Sequence, residues 1–186
     1  GAGGYFHDLQ VSGLLQTAVG SIDANLLIDS DAEFKRTYSG GVASKDLNLG
    51  KLLGDSKFGY AQFNVDVEGF NYQDKYPESY IKGIVSSFDY SGYRYENITL
   101  DGIYKDGGFN GHLALDDENG KVQIDGAFNM AQKISDFNLH ASVLNLRPDK
   151  LNLSDKYADA DISFNLNADF SGSSIDDVNG RIRLDS

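Results

Sequence analysis

Apolar and polar residues alternate along most of this chain, the pattern of β-strands that have one apolar and one wet face. From Ala61 to Glu68, alanine, phenylalanine and valine occupy every second position, and only polar or acidic residues lie between them. The same alternation recurs in five further segments: Ile22–Ile28, Phe109–Leu115, Val122–Phe128, Phe137–Val143 and Ala160–Phe170. The pattern predicts an all-β chain of roughly ten or eleven antiparallel strands.

Turn residues separate the alternating segments. The strongest signals are Asp106-Gly107-Gly108 and Asn119-Gly120, because these residue types tolerate the positive φ of tight hairpins. Weaker signals of the same kind are Ser91-Gly92, Ser171-Gly172-Ser173 and Asn179-Gly180. The turns predict strands that are joined mostly by short hairpins.

Glycine also occurs inside the predicted strands, at related places. An apolar residue, an acidic residue and a glycine follow one another at Val67–Gly69, Leu100–Gly102 and Ile124–Gly126. Glycine weakens a strand, so its repeated use indicates a bent sheet. We therefore expect long antiparallel strands in a curled, partly open sheet, of the β-taco or incomplete-barrel type.

Two short segments are candidates for single-turn helices, Leu49–Gly54 and Arg147–Leu151. Each is too short to be stable alone and would have to pack its leucines onto the sheet. Both follow a predicted strand and precede a new block of sequence. We expect one or two such helices, acting as caps or plugs at the rim of the sheet.

Length and charge narrow the possible functions. The 186 residues fit one all-β unit (1–186), with possible sub-blocks 5–54 and 55–186, which we expect to be one segment of a longer protein. The net charge of −12 argues against nucleic acid as a partner, since binding phosphates requires a basic face. No segment approaches the roughly 18 consecutive apolar residues of a transmembrane helix.

Catalytic motifs are absent from the sequence, which has no cysteine and three widely separated histidines, two of them on polar strand positions. The acidic run Asp116–Gly120 could bind a cation, but it lacks the EF-hand spacing and lies where a hairpin needs a polar turn. Tyrosines crowd the region from Tyr72 to Tyr104, either for cross-strand packing or as an amphipathic lining for a ligand. We expect no enzymatic activity, no metal and no cofactor.

Four blocks in a fixed order carry a family resemblance: Tyr38–Gly54, Phe63–Gly69, Ile84–Gly102 and Phe109–Asp117. The most specific features are a Tyr-x-Tyr followed by Asn-Ile and Asp-Gly at Tyr93–Gly102, and the Phe-x-Gly-x-Leu at Phe109–Leu113. In these blocks the chain resembles the middle segments of TamB-like proteins of the AsmA superfamily, in particular the Bacteroidota-type forms. The resemblance covers about two thirds of the chain.

The resemblance implies a non-enzymatic segment of a cell-envelope protein in the periplasm. Such proteins offer an apolar concave sheet to phospholipid acyl chains, for lipid transport between membranes, for outer-membrane assembly, or for both. The full-length protein would be anchored in the inner membrane. An outer-membrane assembly partner would bind through parts of the protein outside this sequence.

The expected lipid groove is lined by the inward positions of the alternating strands. Its candidate residues are Phe63, Val65, Val67, Leu113, Leu115, Val122, Ile124, Phe128, Leu139, Val143, Ile162, Phe164, Leu166 and Phe170. The same alternation also suits a compact extracellular β-sandwich that binds glycan or protein, in which these residues would fill a sealed core. The sequence leaves both alternatives open.

Overall fold

A computed structural model describes residues 8–30, 35–72, 78–105, 108–129, 135–154, 156, 158–172 and 179–185. Eleven strands form a single antiparallel sheet whose spatial order is the order of the sequence. The sheet is curled and is not closed into a barrel, as the alternation and the strand glycines predicted.

Each strand from the second to the tenth pairs with the strand that precedes it and the strand that follows it, and the first and last strands are the edges. The elements are β1 Leu9–Thr17, β2 Gly20–Ser30, β3 Lys35–Asn48, α1 Leu49–Leu53, β4 Phe58–Tyr72, β5 Glu78–Tyr90, β6 Tyr93–Lys105, β7 Gly108–Asp117, β8 Gly120–Asn129, β9 Ser135–Leu146, β10 Ile162–Gly172 and β11 Asn179–Asp185. The proposed boundary between sub-blocks falls just after α1, and β3 pairs directly with β4 across it.

The predicted hairpin turns have three different outcomes. Ser91 and Gly92 have φ values of 51° and 79° and connect β5 to β6, as a tight hairpin requires. Asn119 lies between β7 and β8 as predicted. The turn predicted at Asn179-Gly180 is wrong, because both residues belong to β11, where Gly180 pairs with Phe170. Asp106, Gly107 and Ser173 lie outside the described residues.

The apolar positions of all strands come into register on one face, which we call the inner face. One cross-strand row contains an apolar residue or glycine from every strand. In chain order the row is Gly13, Ala24, Val42, Val65, Gly83, Leu100, Leu113, Ile124, Ala141, Leu166 and Leu184. Because side chains alternate along each strand, this registration gives the sheet a continuous apolar face.

Glycines lie next to one another at the centre of the inner face, where neighbouring backbones approach closely. Gly102, Gly111 and Gly126 are paired neighbours on β6, β7 and β8. A Cβ at Gly111 would lie 2.3 Å from the carbonyl oxygen of Asp101 and 2.5 Å from the Cα of Gly102. These backbones therefore approach more closely than any side chain would allow, which explains why glycine recurs inside the strands.

The sheet leaves much of its apolar face accessible to solvent. The accessible surface is 12428 Å², whereas a compact monomer of 20.3 kDa has about 8800 Å². Among the described residues, seven hydrophobic side chains are buried, and of the large ones only Leu151 is fully buried. The chain therefore builds a layer with two accessible faces, without the dense core expected for its length.

Candidate functional site: the apolar inner face

The predicted groove residues share one face of the sheet. Leu113 and Ile124 are cross-strand partners, as are Val143 and Phe164. By register or by alternation, all the candidates fall on the inner phase of their strands. For Phe128 and Phe170 this placement concerns the backbone alone, since their side chains lie outside the described residues. The role of all the candidate residues in binding a lipid stays a prediction.

The inner-face candidates are neither sealed nor fully exposed. Val143 is buried with 5% exposure, whereas the other candidates with described side chains are half-buried. Half-buried aliphatic and aromatic side chains on a continuous face retain apolar area that a ligand or partner can cover. This partial exposure separates the inner face from the closed core of a β-sandwich.

One pocket on the inner face brings three of the candidates together. Leu113, Ile124 and Leu139 line a cavity of about 120 Å³. Its other lining residues are Phe109, Gly111, Gly126 and Ala127. The two glycines contribute only backbone to the lining, which is apolar throughout. A cavity of this kind takes hydrocarbon, because water finds no hydrogen-bond partner in it.

Sequence reasoning missed the inner-face residues of β5 and β6. Ile81, Val85, Ile98 and Leu100 occupy the same cross-strand rows as the predicted candidates. Their signal was weak because the alternation is interrupted, on β6 by Asn97 with its φ of 56°. Such a positive φ marks an irregular position that shifts the phase of the alternation.

One end of the inner face is packed with aromatic side chains. Phe58, Phe88, Tyr90, Tyr93 and Tyr95 stand at this end of β4, β5 and β6, with neighbouring ring centroids 4.8–6.2 Å apart. Part of the tyrosine-rich region is therefore cross-strand packing, which is stabilising in such pairs. We call this end of the sheet, where the β5–β6 and β7–β8 hairpins lie, the closed end.

Residues 147–154, which we call the end cap, cross the closed end between β9 and β10. Leu151 has 0% exposure, and its carbonyl oxygen accepts a hydrogen bond of 2.8 Å from the Tyr95 hydroxyl. Asn152 donates from Nδ2 to the carbonyl oxygen of Ser91 at 3.1 Å. The prediction of a plug at the rim is confirmed here, although the segment forms turns and no helix.

The other predicted plug does not behave in this way. In α1, Asn48 caps the first turn by accepting a hydrogen bond from the Lys51 amide, and Gly54 ends the helix with a φ of 71°. Leu52 and Leu53 are 54% and 59% exposed. The expectation that this helix packs its leucines onto the sheet is wrong for Leu52 and Leu53, which face solvent, whereas Leu49 is half-buried.

At the closed end, beside the β7–β8 hairpin, polar side chains form a hydrogen-bond network. Asp117 is 6% exposed, and its carboxylate accepts hydrogen bonds from the Tyr93 hydroxyl at 2.6 Å and from the Asn119 amide at 2.9 Å. Burial, together with the hydrogen bond to Asp117, raises the pKa of Tyr93 to about 12. The acidic run at this hairpin thus stabilises a turn, with Asp117 facing inward and Asp116 paired to Lys121 on the outside.

The opposite end of the inner face, which we call the open end, is partly exposed among the described residues. Its cross-strand row includes Leu9, Ile28, Tyr38, Ser79 and Tyr104. Tyr104 is 41% exposed and Leu9 is 42% exposed. The hydroxyls of Tyr38 and Ser79 are hydrogen-bonded to each other. This end therefore combines accessible apolar area with polar groups at its rim.

The outer face carries the charged and titratable side chains. Lys82 pairs with Asp101, and His112 pairs with Asp125 at 2.8 Å. Arg94 donates two hydrogen bonds to Asp89 and lowers the pKa of that carboxyl. Among the described residues, no group of three His, Asp or Glu side chains is arranged to hold a metal ion.

A second pocket, of about 450 Å³, involves mostly outer-face residues. Leu27, Tyr80 and Ile103 contribute apolar surface, and Glu68 and Glu78 contribute carboxylates. This mixed lining differs from the inner-face pocket, which is apolar throughout.

The chain matches no protein-family model, no curated protein and no solved structure. The resemblance to TamB-like proteins therefore stays a prediction. None of the described helices has the length and apolar content to span a bilayer.

Proposed function

We propose that this chain is a non-enzymatic, lipid-binding segment of a TamB-like envelope protein and that acyl chains bind along its inner face. The observation that carries the proposal is the cross-strand row of apolar residues and glycines, whose described members on β2 to β10 lie on a face that is mostly half-buried. Water contact with such a face is unfavourable, by about 25 cal/mol for each Å² of apolar area. A ligand that covers it relieves this cost.

Acyl chains fit the chemistry of the inner face better than other ligands do. Sugars and peptides need hydrogen-bonding groups, because polar groups buried without partners are unfavourable. In the central rows of the inner face the side chains are apolar, and the titratable groups described above face outward or lie at the closed end. Hydrocarbon needs only apolar contact, so the face favours lipid tails without strong selection among them.

The alternative function, a compact binding module for glycan or protein, requires two sheets packed face to face. The single sheet has no such second layer in its described part. Support for the alternative therefore falls, and lipid binding becomes the stronger proposal.

The cellular setting is part of the proposal. A water-filled periplasm between two membranes is where an apolar face for acyl chains would be of use, and the resemblance implies that setting. We propose that the full-length protein is anchored in the inner membrane and carries phospholipid toward the outer membrane. Contacts with an outer-membrane assembly partner would belong to other parts of that protein.

The proposal is tested by lipid extraction and mass spectrometry of the purified protein, with a matched pair of variants. Ile124→Lys places a charge on the inner face, and Gln123→Lys places the same charge on the adjacent, exposed outer position. We expect phospholipid to co-purify with the wild type and with Gln123→Lys, and its amount to fall at least several-fold in Ile124→Lys. Lipid-free wild-type protein that also fails to take up added phospholipid would contradict the proposal.

A further inference from the structure

We infer that the outer edge of β1 pairs, in an antiparallel ladder, with β1 of a second copy of this chain, so that two sheets join into one. The inference goes beyond the proposed function and does not depend on it, because it concerns the backbone edge of the sheet and not a lipid. Its basis is the sequence and exposure of Leu9–Thr17, together with the register of β1 on β2.

In the part of the chain that the structure describes, β1 is paired on one side only. It pairs with β2 over nine consecutive residues, and no bulge interrupts the register. Every second residue of an antiparallel strand directs its amide and carbonyl away from that partner. The outer edge of β1 is therefore a row of unpaired backbone donors and acceptors, which is a template for a further strand.

The sequence of β1 lacks the features that keep an edge strand from pairing. Between Leu9 and Thr17 it has no charged residue and no proline, the residue types that commonly block an edge. The strand at the other edge of the sheet, β11, has Arg181, Arg183 and Asp185 among its seven residues. The two edges thus differ in composition, and β1 is the edge whose sequence permits association.

β1 also carries apolar side chains that association would cover. All nine of its residues are exposed. Leu14 and Leu15 are 63% and 61% exposed, the highest values among the exposed large hydrophobic residues that the structure describes, and Val11 is 43% exposed. Burial of this apolar area against a second strand favours the dimer.

The sequence of β1 is compatible with its own reverse. With Gly13 opposite Gly13 of the second copy, all nine residues are paired, and Val11 faces Leu15. Residues that face each other point to the same side of a sheet, so these apolar pairs continue the inner face from one copy to the other. The contact has a two-fold axis at Gly13 and is isologous, which closes the assembly at two copies.

The net charge of −12 on each copy does not prevent this pairing. The two β2 strands, which carry Asp23 and Asp29, would lie about 14 Å apart across the contact, or three strand spacings of about 4.8 Å. That distance exceeds the Debye length of about 8 Å at physiological ionic strength. Asp8 directly precedes β1, and in this register the two Asp8 residues lie at opposite ends of the contact. Repulsion at the contact is therefore weak.

The first experiment measures the dimer dissociation constant of the wild type and of three Gly13 variants by sedimentation equilibrium. A Cβ at Gly13 would meet no atom within 4 Å, so one copy accepts a side chain there. Gly13→Lys and Gly13→Asp each place two like charges opposite each other, and each should raise the dissociation constant about tenfold. Gly13→Gln, the uncharged control, should change it little. An equimolar mixture of the two charged variants should associate at least as tightly as the wild type.

Association that returns on mixing identifies the Gly13 contact itself, since a second variant would not repair a loss of folding. A wild type that stays monomeric up to its solubility limit overturns the inference. A dimer whose dissociation constant does not respond to the charged substitutions also overturns it, because the contact then lies elsewhere on the molecule.

Because the chain has no cysteine, single substitutions to Cys report the register. Directly opposite residues have Cα atoms about 4.5–5.5 Å apart, a distance that a disulfide spans. Gly13→Cys should therefore form a covalent dimer under mild oxidation, and Val11→Cys should do so only when it is mixed with Leu15→Cys. Leu53→Cys, at a position that is 59% exposed on α1, should stay monomeric. Coupling of Val11→Cys to itself, or of Leu53→Cys as fast as Gly13→Cys, contradicts the inferred contact.

Discussion

The closed and open ends of the inner face both contain tyrosines and apolar residues, and they differ in how far their described residues are buried. At the closed end Tyr95 is 8% exposed beneath the end cap, and at the open end Tyr104 is 41% exposed. Both are inner-face tyrosines of β6. A short crossing segment, and not the local sequence, therefore decides whether an aromatic residue becomes core or remains accessible.

The two ends also differ in how much their residues contribute to the stability of the fold. Burial of apolar area and satisfied polar groups are concentrated at the closed end, where Leu151 and Asp117 are buried. The open end keeps apolar area exposed, which stabilises nothing until something binds. Substitutions at the two ends should accordingly affect different measurements.

The largest effect is expected from Leu151→Ala. Truncation of a fully buried leucine costs about 2–5 kcal/mol, because transfer energy is lost and a cavity remains. Urea denaturation followed by circular dichroism measures the change. Leu153→Ala, at a position that is 51% exposed, should change stability by about 0.5 kcal/mol or less. Equal losses of unfolding free energy in the two variants would contradict the assignment of Leu151 to the packed face and Leu153 to the exposed face of the end cap.

An intermediate effect is expected from Tyr93→Phe, which removes the hydroxyl that donates to Asp117. At neutral pH the loss should be about 1.5 kcal/mol, since the acceptor is a buried carboxylate. The raised pKa of Tyr93, about 12, means that folding favours the neutral phenol. Its contribution is complete below the unfolded pKa of about 10 and disappears as the pH rises through 12.

The measurement is therefore the difference in unfolding free energy between the wild type and Tyr93→Phe as a function of pH. We expect a constant difference up to about pH 10 and a shrinking one above it. Tyr60, which is 52% exposed, offers a matched control for loss of a tyrosine hydroxyl, and Tyr60→Phe should cost about 0.5 kcal/mol or less at neutral pH. A difference that is independent of pH up to 12 would contradict the role assigned to the hydrogen bond.

The smallest effect on stability is expected at the open end. Leu9→Ala changes a residue that is 42% exposed on an edge strand, so the cost should be about 0.5 kcal/mol or less. The same variant should weaken the binding of phospholipid proposed above, because apolar area of the inner face is lost. A stability loss as large as that of Leu151→Ala would show that the open end is also packed.

Much of the fold could be predicted because its rules are local. Alternation at Ala61–Glu68 identifies a strand and its faces without knowledge of its partners, and Ser91-Gly92 identifies a tight hairpin. When every connection is local, neighbouring strands pair in sequence order. The curl was predicted from the glycines inside the strands, and Gly111 is also required locally because a Cβ there would have no room.

The parts that could not be predicted depend on contacts between distant residues. The bond between Tyr95 and Leu151 joins positions 56 residues apart, and no local pattern marks it. Leu52, Leu53 and Leu151 lie in similar short segments of the sequence, but of the three only Leu151 is buried. Irregular positions such as Asn97 shift the phase of a strand and hide its inner residues from a search for alternation.

The order of the strands has a kinetic consequence. Ladders between sequence neighbours need only short loop closures, so hairpins can form early and independently, and the sheet grows strand by strand. The end cap is different, because its bonds to Ser91 and Tyr95 span 61 and 56 residues. It can dock only after β6 to β9 have assembled. The event that excludes water from the closed end is therefore a late folding step, and a nascent sheet has both of its ends open.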